Sequence, residues 1–103
     1  MYYILFTMDF KKPSTLIYTV YTKSGCPFCV KAKDLLSEKK YMFEIVDCDE
    51  YLSNNKAAFL EFIKEHAEKE YKTFPMVFRA GCFIGGYTET KNLIDLEDIF
   101  TNI

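Results

Sequence analysis

The stretch Tyr21-Thr22-Lys23-Ser24-Gly25-Cys26-Pro27-Phe28-Cys29 joins a strand pattern to a helix pattern and decides the fold. Before it, residues 16–22 are rich in β-branched and aromatic side chains, which favours a buried strand. From Cys26 to about Lys40 the apolar residues recur with helical spacing. Residues 43–47 then predict a second short strand. Since a strand, a helix and a strand of these lengths form a crossover unit, we expect the two strands to be parallel.

The rest of the chain adds a helix, a hairpin and a last helix. Residues from about Asn55 to Lys69 predict the second helix. Residues 76–79 and 82–84 flank Ala80-Gly81, which is typical of two strands joined by a two-residue turn. The last helix is expected to start near Thr88. The sequence therefore predicts an α/β fold in the order β-α-β-α-β-β-α, a mixed four-stranded sheet flanked by about three helices.

Length, charge and hydropathy narrow the classes of protein to consider. The chain has 103 residues, which is the length of one domain. Its net charge of −2 argues against the basic surface of a nucleic-acid-binding protein. No apolar run approaches the roughly 20 residues that span a membrane. Residues 1–14 are predicted to be an extension, with residues 2–6 as a candidate edge strand, and residues 15–103 to be the domain. The N-terminus lacks the features of a secretory signal, which predicts a cytoplasmic protein with reduced thiols.

The predicted first helix begins at the pair Cys26 and Cys29, directly after the first strand and its loop. A cysteine at the start of a helix is well placed for redox chemistry. A thiolate attacks a disulfide and a thiol does not. At the start of a helix, unpaired amides and the helix dipole favour a negative charge, and Pro27 fits the first helical position. Lys23 adds positive charge nearby. We therefore expect a lowered pKa at Cys26, and we expect Cys29, one turn further on, to resolve a mixed disulfide on Cys26.

A zinc site is the main alternative for such a pair. A four-cysteine zinc site usually has a second close pair. Here the other cysteines, Cys48 and Cys82, are far apart in sequence, and His66 is the single histidine. The sequence therefore predicts no metal site. We expect Cys48 to be a partly buried, inert thiol, Cys82 to be exposed beside the hairpin turn, and His66 to lie on a solvated helix face.

Three segments, taken together, resemble glutaredoxins. They are residues 21–33 around the two cysteines, Thr73-Phe74-Pro75 before a strand, and Gly85-Gly86-Tyr87-Thr88 before the last helix. They come in the family's order and cover residues 16–103. Thioredoxins also have a C-x-x-C pair, but they commonly carry Gly-Pro between the cysteines and lack the Gly-Gly segment. The resemblance implies a thioredoxin-like fold, a cis peptide bond before Pro75, and glutathione as the reductant.

The resemblance also implies which residues contact glutathione. Lys23 would pair with the glycine carboxylate. Phe74, between Thr73 and Pro75, would offer its backbone N–H and C=O to the tripeptide as a neighbouring strand does. Phe28 stands where the family more commonly has Tyr, so the apolar wall is kept and a hydroxyl is missing.

At the other end of the ligand, the start of the last helix would hold the γ-glutamyl carboxylate. The segment runs from Gly86 to Glu89, and a helix start is a ready anion site. Glu89 would pair with the ammonium group. Because many glutaredoxins carry Asp there, the longer Glu89 is a departure, and Thr88 is the safer contact.

The resemblance thus implies a glutathione-disulfide oxidoreductase that reduces protein disulfides and glutathione mixed disulfides through Cys26 and Cys29. Its expected partners are glutathione and disulfide-containing or glutathionylated proteins, with ribonucleotide reductase among the family's substrates. Three alternatives stay open at this point. One is a thioredoxin-like reductant recycled by a flavin reductase. Another is an iron–sulfur carrier, against which the stiff Pro27 argues, and the last is a purely structural thioredoxin-like module.

Overall fold

The computed structural model describes residues 9–101. Its elements follow the predicted order of strands and helices. They are β1 (Tyr18–Thr22), α1 (Pro27–Glu38), β2 (Phe43–Asp47), α2 (Asp49–Ala67), β3 (Met76–Arg79), β4 (Cys82–Gly85) and α3 (Tyr87–Thr101). The candidate edge strand at residues 2–6 lies outside the described residues. No helix within residues 9–101 has the length and apolar content needed to cross a membrane.

The sheet is mixed, and its topology brings distant segments to one edge. The strand order is β2-β1-β3-β4, with β1 and β2 parallel and the other neighbours antiparallel. Tyr21 near the end of β1 pairs with Met76 at the start of β3, and Val77 pairs with Gly85 at the end of β4. The loop after β1, the segment before β3 and the turn after β4 therefore meet at the same edge.

The core has one apolar cluster on each face of the sheet. Successive strand residues point to opposite faces, so neighbouring β1 residues such as Val20 and Tyr21 serve different clusters. Each large side chain that is fully buried contributes roughly 1.5–3 kcal/mol. The cluster under α2 contains Tyr21, Val46, Cys48, Phe59, Ile63, Met76 and Phe78. The cluster under α1 and α3 contains Tyr18, Val20, Ala32, Leu36, Val77 and Ile94.

The second helix differs from its predicted span. Helical structure begins at Asp49, not near Asn55, and it ends at Ala67, not at Lys69. Asn55 itself has non-helical angles (φ −158°, ψ 75°), and its Oδ1 accepts the Ala58 N–H at 3.1 Å. Asn55 therefore caps the longer part of α2, and a short helical part precedes it. At the other end Glu68 takes a left-handed conformation (φ 61°), which stops the helix before Lys69.

The hairpin turn has the backbone that its sequence predicts. Ala80 and Gly81 both have positive φ, 49° and 86°, as a two-residue turn with the twist of its strands requires. The first strand begins at Tyr18, two residues later than expected. Ser14 Oγ accepts the N–H groups of Leu16 and Ile17, at 3.0 and 3.1 Å, so these residues form a turn before the strand.

Part of the predicted extension lies against the sheet and α2. The Phe10 ring packs edge-on against Tyr51, with ring centroids 4.9 Å apart, and also contacts Phe59. The Tyr21 hydroxyl donates to the Lys11 carbonyl at 2.5 Å. Pro13 is buried. Residues 10–13 are thus packed on the body of the fold, and the boundary after residue 14 stays a prediction.

Candidate active site

Cys26 is the N-cap residue of α1, as the sequence predicts. Its backbone is extended (φ −114°, ψ 99°), and its Sγ accepts the Cys29 N–H at 3.2 Å. Pro27 follows at the first helical position, where the missing N–H costs no hydrogen bond. The first-turn amides and the helix dipole point at the sulfur, and both stabilise a thiolate relative to a thiol. The lowered pKa of Cys26 stays a prediction with this geometry as its basis.

Cys26 and Cys29 form a disulfide, with their Cα atoms 5.3 Å apart. The two sulfur-bearing residues differ in exposure. Cys26 is partly exposed, whereas Cys29 is only 2% exposed. A substrate can therefore reach Cys26, and Cys29 reaches the same sulfur from inside the fold. This arrangement suits the predicted roles of Cys26 as the attacking thiol and Cys29 as the resolving thiol.

A groove of about 260 Å³ reaches Phe28, which lies between the two cysteines in the sequence, and we call it the Pro75 groove. Its walls come from α1, the segment before β3 and the start of α3, which the sheet topology brings together. The lining residues are Phe28, Tyr71, Thr73, Phe74, Pro75, Gly86, Tyr87, Thr88 and Glu89. Seven of these nine were predicted from the sequence to contact a ligand, and Tyr71 and Tyr87 were not. Lys23 does not line the groove, but its Nζ lies 5.6 Å from the Phe74 ring centroid at the margin.

The wall before β3 leaves one backbone edge free. The Phe74–Pro75 peptide bond is cis, as the resemblance implies. The Phe74 ring stacks parallel to Phe59 (centroids 6.3 Å apart, planes at 7°), so the side chain is turned into the α2 cluster. Within residues 9–101 the Phe74 N–H and C=O have no hydrogen-bond partner. An extended peptide in the groove would find an unpaired donor and acceptor there.

The opposite wall is the start of α3, and its own Glu89 caps it. Glu89 is the third residue of the helix, and its Oε1 accepts the Gly86 N–H at 2.8 Å. This is the reach-back half of a capping box. The amides of Thr88 and Glu89 have no acceptor in the described part of the chain, so they remain available to an anion. The side chain of Glu89 was expected to face a ligand, and the structure shows one of its oxygens already bonded.

The two glycines before α3 leave room for neighbouring side chains. A Cβ atom on Gly86 would lie 2.9 Å from the Tyr71 hydroxyl oxygen, and one on Gly85 would lie 2.8 Å from Glu89 Cγ. Gly85 also has φ +137°, where side chains are rarely found. The Gly-Gly pair therefore brings Tyr71 and Glu89 into contact with the backbone of the groove. Sequence reasoning missed Tyr71, although it lies two residues before Thr73.

The ammonium group of Lys31 lies over the aromatic rings at the rim of the groove. Lys31 Nζ lies 4.9 Å from the Phe28 ring centroid and 6.0 Å from that of Tyr87. The two rings are themselves 6.0 Å apart, and Phe28 is 51% exposed. The sequence offered a signal, because Lys31 follows Phe28 by three residues on a helix and so shares its face. The rim next to Cys26 thus combines apolar surface with positive charge.

The other chemically reactive groups stay apart from this site. Cys48 is fully buried, and burial raises the pKa of its thiol to about 12, with the negative charge of Asp47 adding to the effect. Cys82 is free and exposed on β4, as expected. His66 places Nδ1 3.0 Å from the Phe62 carbonyl oxygen. Among residues 9–101, no three His, Cys, Asp or Glu side chains lie close enough to hold a metal ion.

Comparisons with known proteins agree with this architecture. A family model described as Glutaredoxin matches residues 18–84. Glutaredoxin 1 of Rickettsia felis is 36% identical over 78 residues, which are 76% of this chain and 69% of that protein. The crystal structure of Francisella tularensis glutaredoxin 1 complexed with cacodylate has a TM-score of 0.67 at 30% identity, covering 76% of this chain and 91% of that one. Reduced Escherichia coli glutaredoxin has a TM-score of 0.60 at 30% identity, covering 76% and 92%.

Proposed function

The chain belongs to the glutaredoxin family of thiol–disulfide oxidoreductases, and on that premise we propose that glutathione is the reductant with which it acts. Its substrates are then protein disulfides and mixed disulfides between proteins and glutathione. The observation that carries the proposal is the position of the Pro75 groove. Its lining includes Phe28, two residues after the accessible Cys26, and it has a free backbone edge at Phe74 on one wall and free helix amides at Thr88 and Glu89 on the other.

Glutathione has chemical groups that would pair with the unpaired donors and acceptors of both walls. Its peptide backbone would pair with the N–H and C=O of Phe74. Its γ-glutamyl carboxylate would accept the amides of Thr88 and Glu89, where the helix dipole also favours an anion. The second oxygen of the Glu89 carboxylate would take the ammonium group. Lys23 at the margin of the groove would pair with the glycine carboxylate.

The proposed reaction with a glutathionylated protein uses Cys26 alone. The Cys26 thiolate attacks the glutathione sulfur, the S–S bond to the protein breaks, and the protein sulfur leaves and takes up a proton. A second glutathione thiolate then attacks the mixed disulfide on Cys26. Oxidised glutathione leaves, and Cys26 is again a thiolate. Two electrons pass from glutathione to the protein in one cycle.

A protein disulfide needs Cys29 as well. Cys26 attacks one sulfur of the substrate, and Cys29 then attacks Cys26, which releases the dithiol protein and forms the disulfide seen in the structure. Two glutathione molecules reduce that disulfide and leave as oxidised glutathione. Reduced glutathione is abundant where thiols are kept reduced, so we place the enzyme in the cytoplasm. Disulfide-containing proteins, ribonucleotide reductase among them, are candidate partners.

Glutathione-dependent reduction of a small mixed disulfide tests the proposal. We expect Cys26→Ser to lose all activity, because no other accessible thiolate faces the groove. We expect Cys29→Ser to keep activity on the glutathione mixed disulfide and to lose activity on a protein disulfide. Each variant is matched to Cys82→Ser, which removes an exposed thiol on β4 and should behave as wild type.

Two further measurements separate the alternative functions. If glutathione fails to reduce the Cys26–Cys29 disulfide but a flavin-dependent thioredoxin reductase succeeds, the protein is a thioredoxin-like reductant instead. If anaerobic reconstitution gives a coloured [2Fe–2S] protein that depends on Cys26 and glutathione, the protein acts as a cluster carrier. A colourless product with full glutathione-dependent turnover supports the oxidoreductase.

A further inference from the structure

One carboxylate at the start of α2 holds the loop that leads to Cys26. Asp49 Oδ1 accepts the Ser24 N–H at 2.9 Å, and Asp49 Oδ2 accepts the Ser24 hydroxyl. Both oxygens of Asp49 therefore bind one residue, two positions before the attacking thiol. The carboxylate is charged at neutral pH, as for any ordinary Asp, and the hydrogen bonds from Ser24 hold the pKa of Asp49 below its usual value.

The loop has little else to fix it. Lys23, Ser24 and Gly25 are all exposed. Gly25 adopts φ +68°, and a Cβ placed there would meet no atom within 4 Å. Within residues 9–101, the two bonds to Asp49 are the only hydrogen bonds that tie residues 23–25 to another element. Besides the chain connections to β1 and α1 and the contact of Lys23 with the Phe74 ring, Asp49 is what holds the loop in place.

Asp49 is itself firmly placed. Its N–H donates to Asp47 Oδ1 at 3.0 Å. The preceding Cys48 is fully buried, and its N–H donates to the Thr22 carbonyl at 2.8 Å. The start of α2 is therefore fastened to the end of β1, which is also where the Cys26 loop begins. The carboxylate can hold the loop because its own backbone does not move with it.

We propose that Asp49 is a positioning residue for Cys26: by fixing Ser24, it keeps the Cys26 sulfur within reach of the first-turn amides of α1. The proposal deepens the proposed function, since it rests on Cys26 as the attacking thiolate. In the disulfide form, Cys26 Sγ accepts the Cys29 N–H at 3.2 Å. After reduction the same contact would stabilise the thiolate, provided that the loop keeps its place.

Charge and position have opposite effects on the thiol, and this makes the proposal testable. A nearby negative charge disfavours a thiolate, so removing the Asp49 charge alone would lower the pKa of Cys26. Loss of the loop anchor would raise it, because the sulfur would leave the amides. The other charged groups near the loop and the groove are Asp47 at the end of β2, Lys23 on the loop, Lys31 on α1 and Glu89 on α3, and all four remain in the variants below.

The experiment measures the pH dependence of Cys26 alkylation by iodoacetamide in the reduced protein, with mass spectrometry to assign the modified cysteine. We expect Asp49→Ala to raise the pKa, so that the rate below the pKa falls about threefold, as a rise of about half a pH unit implies. Asp49→Asn removes the same charge but keeps an oxygen for the Ser24 N–H. Its alkylation rate should therefore fall less than that of Asp49→Ala. Glu50→Ala removes the neighbouring first-turn acid of α2, which does not bind the loop, and should not lower the rate.

The outcomes separate this inference from the proposed function. If the wild-type thiol has an ordinary pKa, the proposed function fails and this inference fails with it. If the wild-type pKa is low but Asp49→Ala leaves it unchanged or lowers it further, only this inference is overturned. Should Asp49→Ala not fold, Ser24→Ala tests the same point in an exposed loop. It keeps the charge and removes one of the two bonds, so a smaller rise supports the inference and no rise overturns it.

Discussion

Glu89 Oε1 accepts the N–H of Gly86 at 2.8 Å, so the carboxylate expected to bind glutathione also caps the helix that forms the binding wall. The two roles use different properties of the side chain. Capping needs an acceptor oxygen, whereas pairing with the ammonium group of glutathione needs the negative charge. Because Gln keeps the oxygen and loses the charge, substitution can separate them.

We therefore predict that Glu89→Gln raises the KM for glutathione several-fold and leaves stability nearly unchanged. Glu89→Ala should raise the KM and also lower the free energy of unfolding by about 0.5–2 kcal/mol, because the cap is lost. Steady-state kinetics and urea unfolding measure the two effects. The nearby Asp95→Asn, on the same helix but paired with Lys91 on the surface, serves as the charge control. An unchanged KM in Glu89→Gln would show that Glu89 caps the helix but does not pair with the ammonium group of glutathione.

Lys23 gives a second prediction about the ligand. It is exposed, it lies at the margin of the Pro75 groove, and its proposed partner is the glycine carboxylate of glutathione. We expect Lys23→Ala to raise the KM for glutathione without changing the unfolding transition, and we expect added salt to reduce the difference. Lys56→Ala, on the exposed side of α2, is the matched control. If Lys23→Ala and Thr88→Ala both leave the KM unchanged, the proposed placement of glutathione is wrong.

The order of elements and the position of Cys26 at the start of α1 follow from the sequence because they depend on local patterns. The β-branched and aromatic run of β1, the helical spacing after Cys26 and the turn at Ala80-Gly81 are each set by residues close together in the chain. The resemblance then placed Thr73 to Pro75 and Gly86 to Glu89 on one site, and the sheet topology does bring them to one groove.

The features that sequence reasoning missed depend on contacts between distant residues. Tyr71 enters the groove because Gly86 leaves space for its hydroxyl, and neither residue shows this by itself. Asp49 binds Ser24 across 25 positions. The early start of α2 was missed because Tyr51 and Leu52 are the only apolar residues between Asp49 and Asn55, too few to show a helical period, although both pack against the core. The anchoring of Cys48 to Thr22 fixes that turn instead.

The buried Cys48 thiol should make the folded protein less stable in alkaline solution. Its pKa rises from an ordinary value of 9.0 to about 12 in the folded protein, chiefly through burial. Below pH 9 the thiol is protonated in both states and has no effect. From about pH 9 upward the unfolded chain loses this proton and the folded chain keeps it. The free energy of unfolding should therefore fall by up to about 1.4 kcal/mol per pH unit until about pH 12.

Urea unfolding of the oxidised protein between pH 7 and 10.5 measures this slope, with Cys26 and Cys29 held in their disulfide. We expect Cys48→Ala to have a shallower fall, although it is less stable at neutral pH through the lost packing. Cys82→Ala should keep the wild-type slope, since that thiol is exposed in the fold. Burial also raises the pKa of Tyr18, which adds the same alkaline effect to every variant. Equal slopes in all three proteins would contradict the assignment to Cys48.

The Tyr71 hydroxyl is a candidate ligand contact that the sequence did not single out. The ring packs edge-on against Phe83, with centroids 4.8 Å apart, and the hydroxyl lies in the Pro75 groove next to Gly86. Among residues 9–101 this hydroxyl has no hydrogen-bond partner, so it is free to donate to the γ-glutamyl carboxylate that we propose to bind at the start of α3.

Tyr71→Phe removes the oxygen and keeps the ring. We expect the KM for glutathione to rise about two- to tenfold, the effect of one lost hydrogen bond worth about 0.5–1.5 kcal/mol. The kcat at saturating glutathione should not change, because Tyr71 does not touch the reacting sulfurs. Tyr41→Phe is the control, since its hydroxyl lies 3.3 Å from Glu97 Oε1 at the opposite end of the sheet. A KM equal to the wild-type value would show that the Tyr71 hydroxyl does not contact the ligand.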